Sequence, residues 1–118
     1  MNYCVSERIG FNGITIEDGQ RVYDGIAPDL LNHRSVTLDF AGMNILTSPF
    51  LNTAIGQLLR DMTVDELNHY LIFKNVPAPT QPILKHIIQN ASAYYGDALV
   101  RQAIGQMLQK EAGEADGI

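Results

Sequence analysis

One cysteine, Cys4, stands in 118 residues, which excludes an intramolecular disulfide framework. With no histidine or basic partner in view, Cys4 reads as a small apolar residue of a first sheet, not as a reactive thiol. Basic residues are few: eight Lys and Arg against thirteen Asp and Glu, for a net charge of −5. They are scattered along the chain, which argues against a nucleic-acid partner, because phosphate-backbone binding needs clustered Lys and Arg. Apolar runs last only a few residues, far short of the roughly 20 that cross a bilayer. No basic-plus-apolar leader opens the sequence, so a cytoplasmic location without membrane association is expected.

Convergent chemistry is missing as well. His33, His69 and His86 fall on three different expected elements at no metal-ligand spacing and read as structural or surface histidines. Gly10, Gly13 and Gly19 fit neither the dinucleotide nor the P-loop pattern. Ser48 has no G-x-S-x-G surround. The sequence thus predicts no catalytic residue, no metal and no cofactor.

What is present is a folded composition, 46% hydrophobic and 18% charged, with room for one domain and one core. The domain is expected over residues 1–110, followed by an acidic, Gly-containing tail, Glu111–Ile118, that frays. The organising stretch is Val36–Leu59. Val36-Thr37-Leu38-Asp39-Phe40 has the β-branched, apolar composition of a buried strand. After Ala41-Gly42 and a short apolar piece, Met43–Leu46, the hydroxyl pair Thr47-Ser48 precedes Pro49. From there Phe50, Leu51, Ala54, Ile55, Leu58 and Leu59 recur at helical spacing. Ser followed by Pro predicts a helix start with Ser48 as N-cap and proline in the first turn. Backbone N–H groups at such a mouth favour an anion, so Ser48 can be read as a cap or as a phosphorylated switch.

Elsewhere, Tyr3–Val5 and Ile14–Ile16 flank Asn12-Gly13, a turn signal that predicts a hairpin or a strand-turn-strand arrangement. Asp18–His33 reads as a helix capped by Asp18, with Gly25 and Pro28 predicting a kink or two short helices meeting near Ala27. Thr63 and Glu66 have the form of a capping box. His69–Phe73 reads as a strand parallel to Val36–Phe40, since a strand-helix-strand crossover joins them. Asn75–Pro82 reads as a rigid, proline-rich connection. Ile83, Leu84, Ile87, Ile88 and Ala91 then form one helical stripe up to Tyr94-Tyr95. A last helix is expected after Asp97, with Leu99, Val100, Ala103, Ile104, Met107 and Leu108 inward. Its AIGQML echoes AIGQLL at Ala54–Leu59, two helices solving one packing problem and not a duplication.

The order LDFAGM, ILTS and amphipathic helix resembles the central motif of STAS domains, the anti-sigma-factor antagonists and sulfate-transporter tails. TSPFLNTAIGQLL at Thr47–Leu59 and YYGD at Tyr94–Asp97 are still more similar to a STAS-like bacterial family of unassigned function. The resemblance implies a STAS-like α/β single domain with a mixed sheet of about four strands, one face covered by helices. It aligns Asp39 with the acidic strand residue, Ser48 (or Thr47) with the phosphoacceptor, and Phe50–Leu59 with the recognition helix. A partner surface is therefore expected at Asp39, Thr47, Ser48, Pro49, Phe50, Asn52, Thr53 and Gly56. Thr47 stands where STAS antagonists usually carry Asp, and Asn52 and Thr53 replace acidic residues common early in the helix.

Two functional readings follow. In the first, the chain is a regulatory module that switches partners, binding a histidine-kinase-like ATPase or a sigma-factor regulator of the anti-sigma type. In the second, it is a constitutive subunit or homodimer, for example of a two-protein bacterial defence system, and Ser48 is only a helix cap. A nucleotide-binding protein is a third class, implied by reports on STAS relatives.

Overall fold

A computed structural model of the chain describes residues 1–95. Its centre is a three-stranded parallel sheet, β1 (Asn2–Cys4), β3 (Val36–Asp39) and β5 (Leu71–Lys74), in the order β1-β3-β5. Tyr3, Leu38 and Phe73 share one register row, and Cys4, Asp39 and Lys74 another. Because side chains alternate along a strand, Tyr3, Val36, Leu38 and Leu71 enter the core, while Asn2, Thr37, Asp39, Ile72 and Lys74 point to the more exposed face. The parallel pairing expected between the Val36 strand and its successor is therefore present. The second strand, however, begins at Leu71, and His69 and Tyr70 close helix α4 (Val64–Tyr70).

Instead of one mixed sheet of about four strands, the described residues hold two separate parallel sheets. The hairpin expected at the start does not form. Val5–Ile9 turns helical (α1) directly after β1 and carries the chain away, so the next strand cannot fold back on the first. Asn12-Gly13, the turn signal, is instead strand β2, paired in parallel with β4 (Ile45–Leu46). Gly13 serves close approach: a Cβ there would stand 2.8 Å from the Phe50 ring.

Helix α2 spans Ile16–Leu31 without a break. Its cap is Thr15, whose Oγ1 accepts the Asp18 N–H over 3.0 Å, so Asp18 lies in the first turn and is not the cap. Pro28 falls in the last turn, where it forgoes the bond to the Asp24 carbonyl and crowds that carbonyl with its ring, and only the final three residues of the helix follow it. Helix α3 runs from Ser48 to Ala54 and gives way to a 3₁₀ stretch, Gly56–Arg60. The helix expected to run to Leu59 is thus shorter, although Ile55, Leu58 and Leu59 stay buried. Phe40, Phe50, Leu51, Ile26, Leu30 and Leu67 are among the largest fully buried side chains of the core, each contributing about 1.5–3 kcal/mol by burial.

The capping box before α4 is present: Thr63 Oγ1 accepts from the Glu66 N–H, and Glu66 accepts from the Thr63 N–H over 2.9 Å. A 3₁₀ turn, Ala78–Thr80, lies inside the proline-rich connection. Helix α5 covers residues 81–95 and buries Leu84, Ile87 and Ala91 of the expected stripe, while Ile88 is half-buried and Ile83, expected on the same face, is exposed in the first turn. The helix expected after Asp97 and the acidic tail lie outside the described residues.

Candidate functional site

The β2–β4 pair fixes the mouth of α3. The Asn44 N–H donates to the Phe11 carbonyl over 2.7 Å and the Thr47 N–H to the Gly13 carbonyl over 2.9 Å, which keeps Thr47 extended (φ −94°, ψ 159°). An extended residue followed by helix is the geometry of an N-cap, and it falls one residue earlier than Ser-Pro suggests. Thr47 Oγ1 accepts from the Phe50 N–H at 3.4 Å and donates to the Ile14 carbonyl at 2.8 Å. Ser48 is therefore the first helical residue, not the cap. Among the described residues its hydroxyl makes no hydrogen bond, and both Ser48 and Pro49 are exposed.

Ser48, Pro49, Asn52 and Thr53 form one wall of a groove of about 490 Å³, with His86, Ile87 and Asn90 of α5 opposite and Ile16 at the start of α2 beside them. The Asn90 side-chain nitrogen lies 2.9 Å from His86 Nε2, fixing that ring on the groove wall. Beside this mouth Ile14 and Ile16 are exposed by 45% and 60%, and Ile45, 50% exposed, lies on β4 two residues before Thr47, whereas the exposed Phe11 ring lies by Gly42. Ile14 and Ile45 sit beside or on the strands that hold Thr47, so exposed apolar area adjoins the place where Ser48 opens to solvent.

Three expected surface residues are placed elsewhere. Phe50 is fully buried and Gly56 is buried, so neither offers a contact; Phe50 anchors α3 against Gly13 and Gly19. Asp39 lies in a different cleft, of about 160 Å³, with Cys4, Glu7, Arg8 and Lys74. Its Oδ1 accepts from the Asn75 amide over 2.9 Å and from the Ala41 N–H over 2.9 Å. The Asn75 bond foremost, then the Ala41 bond, hold its carboxyl below the ordinary 3.8. Asp39 thus shapes the turn after β3 and ties it to the end of β5, where Asn75 adopts φ 57°. Cys4 is half-buried in that cleft.

His33 and His69, far apart in sequence, both pack on Tyr70, at ring-centroid distances of 5.2 and 4.5 Å. Among the described residues no group of three or more His, Cys, Asp and Glu side chains is arranged to hold a metal ion. No helix of the described residues is long and apolar enough to cross a membrane.

No curated protein and no solved structure matches the chain. A family model described as a STAS-like domain of unknown function matches residues 18–81. That span holds α2 from Asp18 on, β3, the Thr47-Ser48 mouth and the α3 wall of the groove, but neither Ile16 nor the α5 wall. The chain, matched over more than half its length, belongs to the family of STAS-like domains of unknown function, DUF4325.

Proposed function

We propose that this chain is a non-enzymatic regulatory module that binds a protein partner through the Ser48 groove and its apolar rim, and that phosphorylation of Ser48 releases that partner. The observation that carries the reading is the division of labour between neighbours. Thr47 takes the capping role and spends its hydroxyl on Ile14 and Phe50. Ser48, exposed beside it, has a hydroxyl with no structural task among the described residues. That makes Ser48, and not Thr47, the better acceptor of the pair.

A phosphate there adds about 1.5 to 2 negative charges to a groove lined by Ile16, Pro49, Asn52, Thr53, Ile87 and Asn90, with His86 as the one titratable side chain among its described lining residues. An apolar or acidic partner patch would be repelled, because the charge cannot be desolvated in the interface without a counter-ion. The resemblance of the Val36–Leu59 stretch to STAS antagonists motivates a histidine-kinase-like ATPase or an anti-sigma-type regulator as partner. Asn52, Thr53 and Pro49 then contribute contacts on the α3 side, and His86 and Asn90 on the α5 side.

Affinity capture from the native host with wild-type and Ser48→Asp protein tests the reading. An ATPase or sigma regulator held by wild type and lost from Ser48→Asp supports it. The same partner on both makes the chain a constitutive subunit, with the groove as a permanent interface.

A further inference from the structure

On another side of α5 lies a cleft of about 700 Å³, bounded by α4, by the end of β5 and the turn after it, and by α5 itself. Val64, Phe73, Val76, Leu84 and Ile88 give it an apolar floor. Phe73 stacks on Phe40 with ring centroids 6.4 Å apart, so the floor is continuous with the core and fixed in place. The rim is made of amides and one cation. Asn75 is committed to Asp39 and Gln81 to the Val76 carbonyl, which leaves Asn68, Gln89 and Lys85 as the lining residues whose side-chain donors have no partner among the described residues. Among the described residues Lys85 enters no ion pair and no carboxylate lines the cleft.

We propose that this cleft binds a small amphipathic anion: an aliphatic or aromatic body on the apolar floor, with a single carboxylate reaching Lys85. The volume falls within the roughly 300–1,000 Å³ of small-molecule sites, and an apolar pocket with a few donors of one sign is their usual chemistry. Against a net charge of −5 for the whole sequence, a cation with no acidic neighbour among the described lining residues favours acids locally. A cationic amphiphile of the same shape meets the same floor but is opposed by Lys85. The site is separate from the Ser48 groove and stands or falls independently of the partner-binding reading.

The test is a titration of the full chain with sodium decanoate below its micelle concentration, followed by backbone amide NMR, with decyltrimethylammonium as the cationic comparison. Saturable decanoate shifts confined to residues around Val64, Phe73, Val76 and Leu84–Gln89 are expected, with affinity at least about tenfold above that of the cation. Lys85 is exposed, so Lys85→Glu should leave the spectrum folded and weaken decanoate about tenfold, while Lys85→Arg retains it. Shifts elsewhere, no saturation, equal binding of the cation, or a Lys85→Glu variant that binds as wild type would each overturn the proposal.

Discussion

The Thr47 hydroxyl donates to the Ile14 carbonyl over 2.8 Å while accepting the Phe50 N–H, so one side chain both caps α3 and pins it to the segment before α2. Thr47→Ala should therefore cost about 1–2 kcal/mol, the upper range for a lost cap. Ser48→Ala, which removes a hydroxyl bonded to nothing among the described residues, should change stability by less than about 0.5 kcal/mol. Urea unfolding of the two variants checks this. Equal losses would return the capping role to Ser48.

Gly19 lets α2 and α3 touch. A Cβ there would stand 2.7 Å from the Phe50 carbonyl oxygen and 2.9 Å from Thr53 Cβ. Gly19→Ala gains about 1 kcal/mol of helix propensity, yet it pushes against backbone. A net destabilisation of about 1–3 kcal/mol is expected, measured by thermal or urea unfolding.

Asp39 and Glu66 give the pH dependence its sign. The carboxyl of Glu66 is also held below its ordinary 4.5, first by the Thr63 N–H of the capping box. For both groups the unfolded chain binds more protons than the fold between the ordinary value and the lowered one. The stability they contribute is present above the ordinary values of 3.8 and 4.5 and is lost as pH falls through the lowered ones. Melting temperature should drop on acidification below about pH 4.5, and Asp39→Asn should flatten the drop. An unchanged acid profile in that variant would remove Asp39 from this role.

Much of this architecture is legible in the chain, because the signals concerned are local or long enough to average. The β-branched run at Val36, the Thr63–Glu66 box and the stripe from Leu84 to Ala91 each carry their own physical cause. The N-terminal part is not legible. Asn12-Gly13 has turn chemistry, but pairing with Ile45-Leu46 and the Phe50 ring over Gly13 override it. Periodicity also cannot tell where α3 ends, since a 3₁₀ stretch still turns Leu58 and Leu59 inward. The groove is half legible: Ser48, Pro49, Asn52 and Thr53 are neighbours in sequence, whereas Ile16, His86 and Asn90 arrive only through folding. The exposure of single apolar residues such as Ile16 and Ile45 is a property of the fold alone.

The apolar rim separates binding from folding. Ile16, 60% exposed at the first position of α2, should tolerate Ile16→Glu with little change in melting temperature, as an acid in the first turn suits the helix dipole. Partner affinity should fall by at least about tenfold, because an apolar contact becomes a buried charge. Phe50→Ala should do the opposite first, costing about 3–5 kcal/mol of stability as a core truncation.

The central claim is tested most directly by the affinity of the captured, purified partner for wild-type, Ser48→Ala and Ser48→Asp protein, measured side by side by calorimetry. Ser48→Ala should bind as wild type, and Ser48→Asp at least about tenfold more weakly. Equal affinity of all three would contradict a switch at Ser48 and leave the groove as a fixed interface.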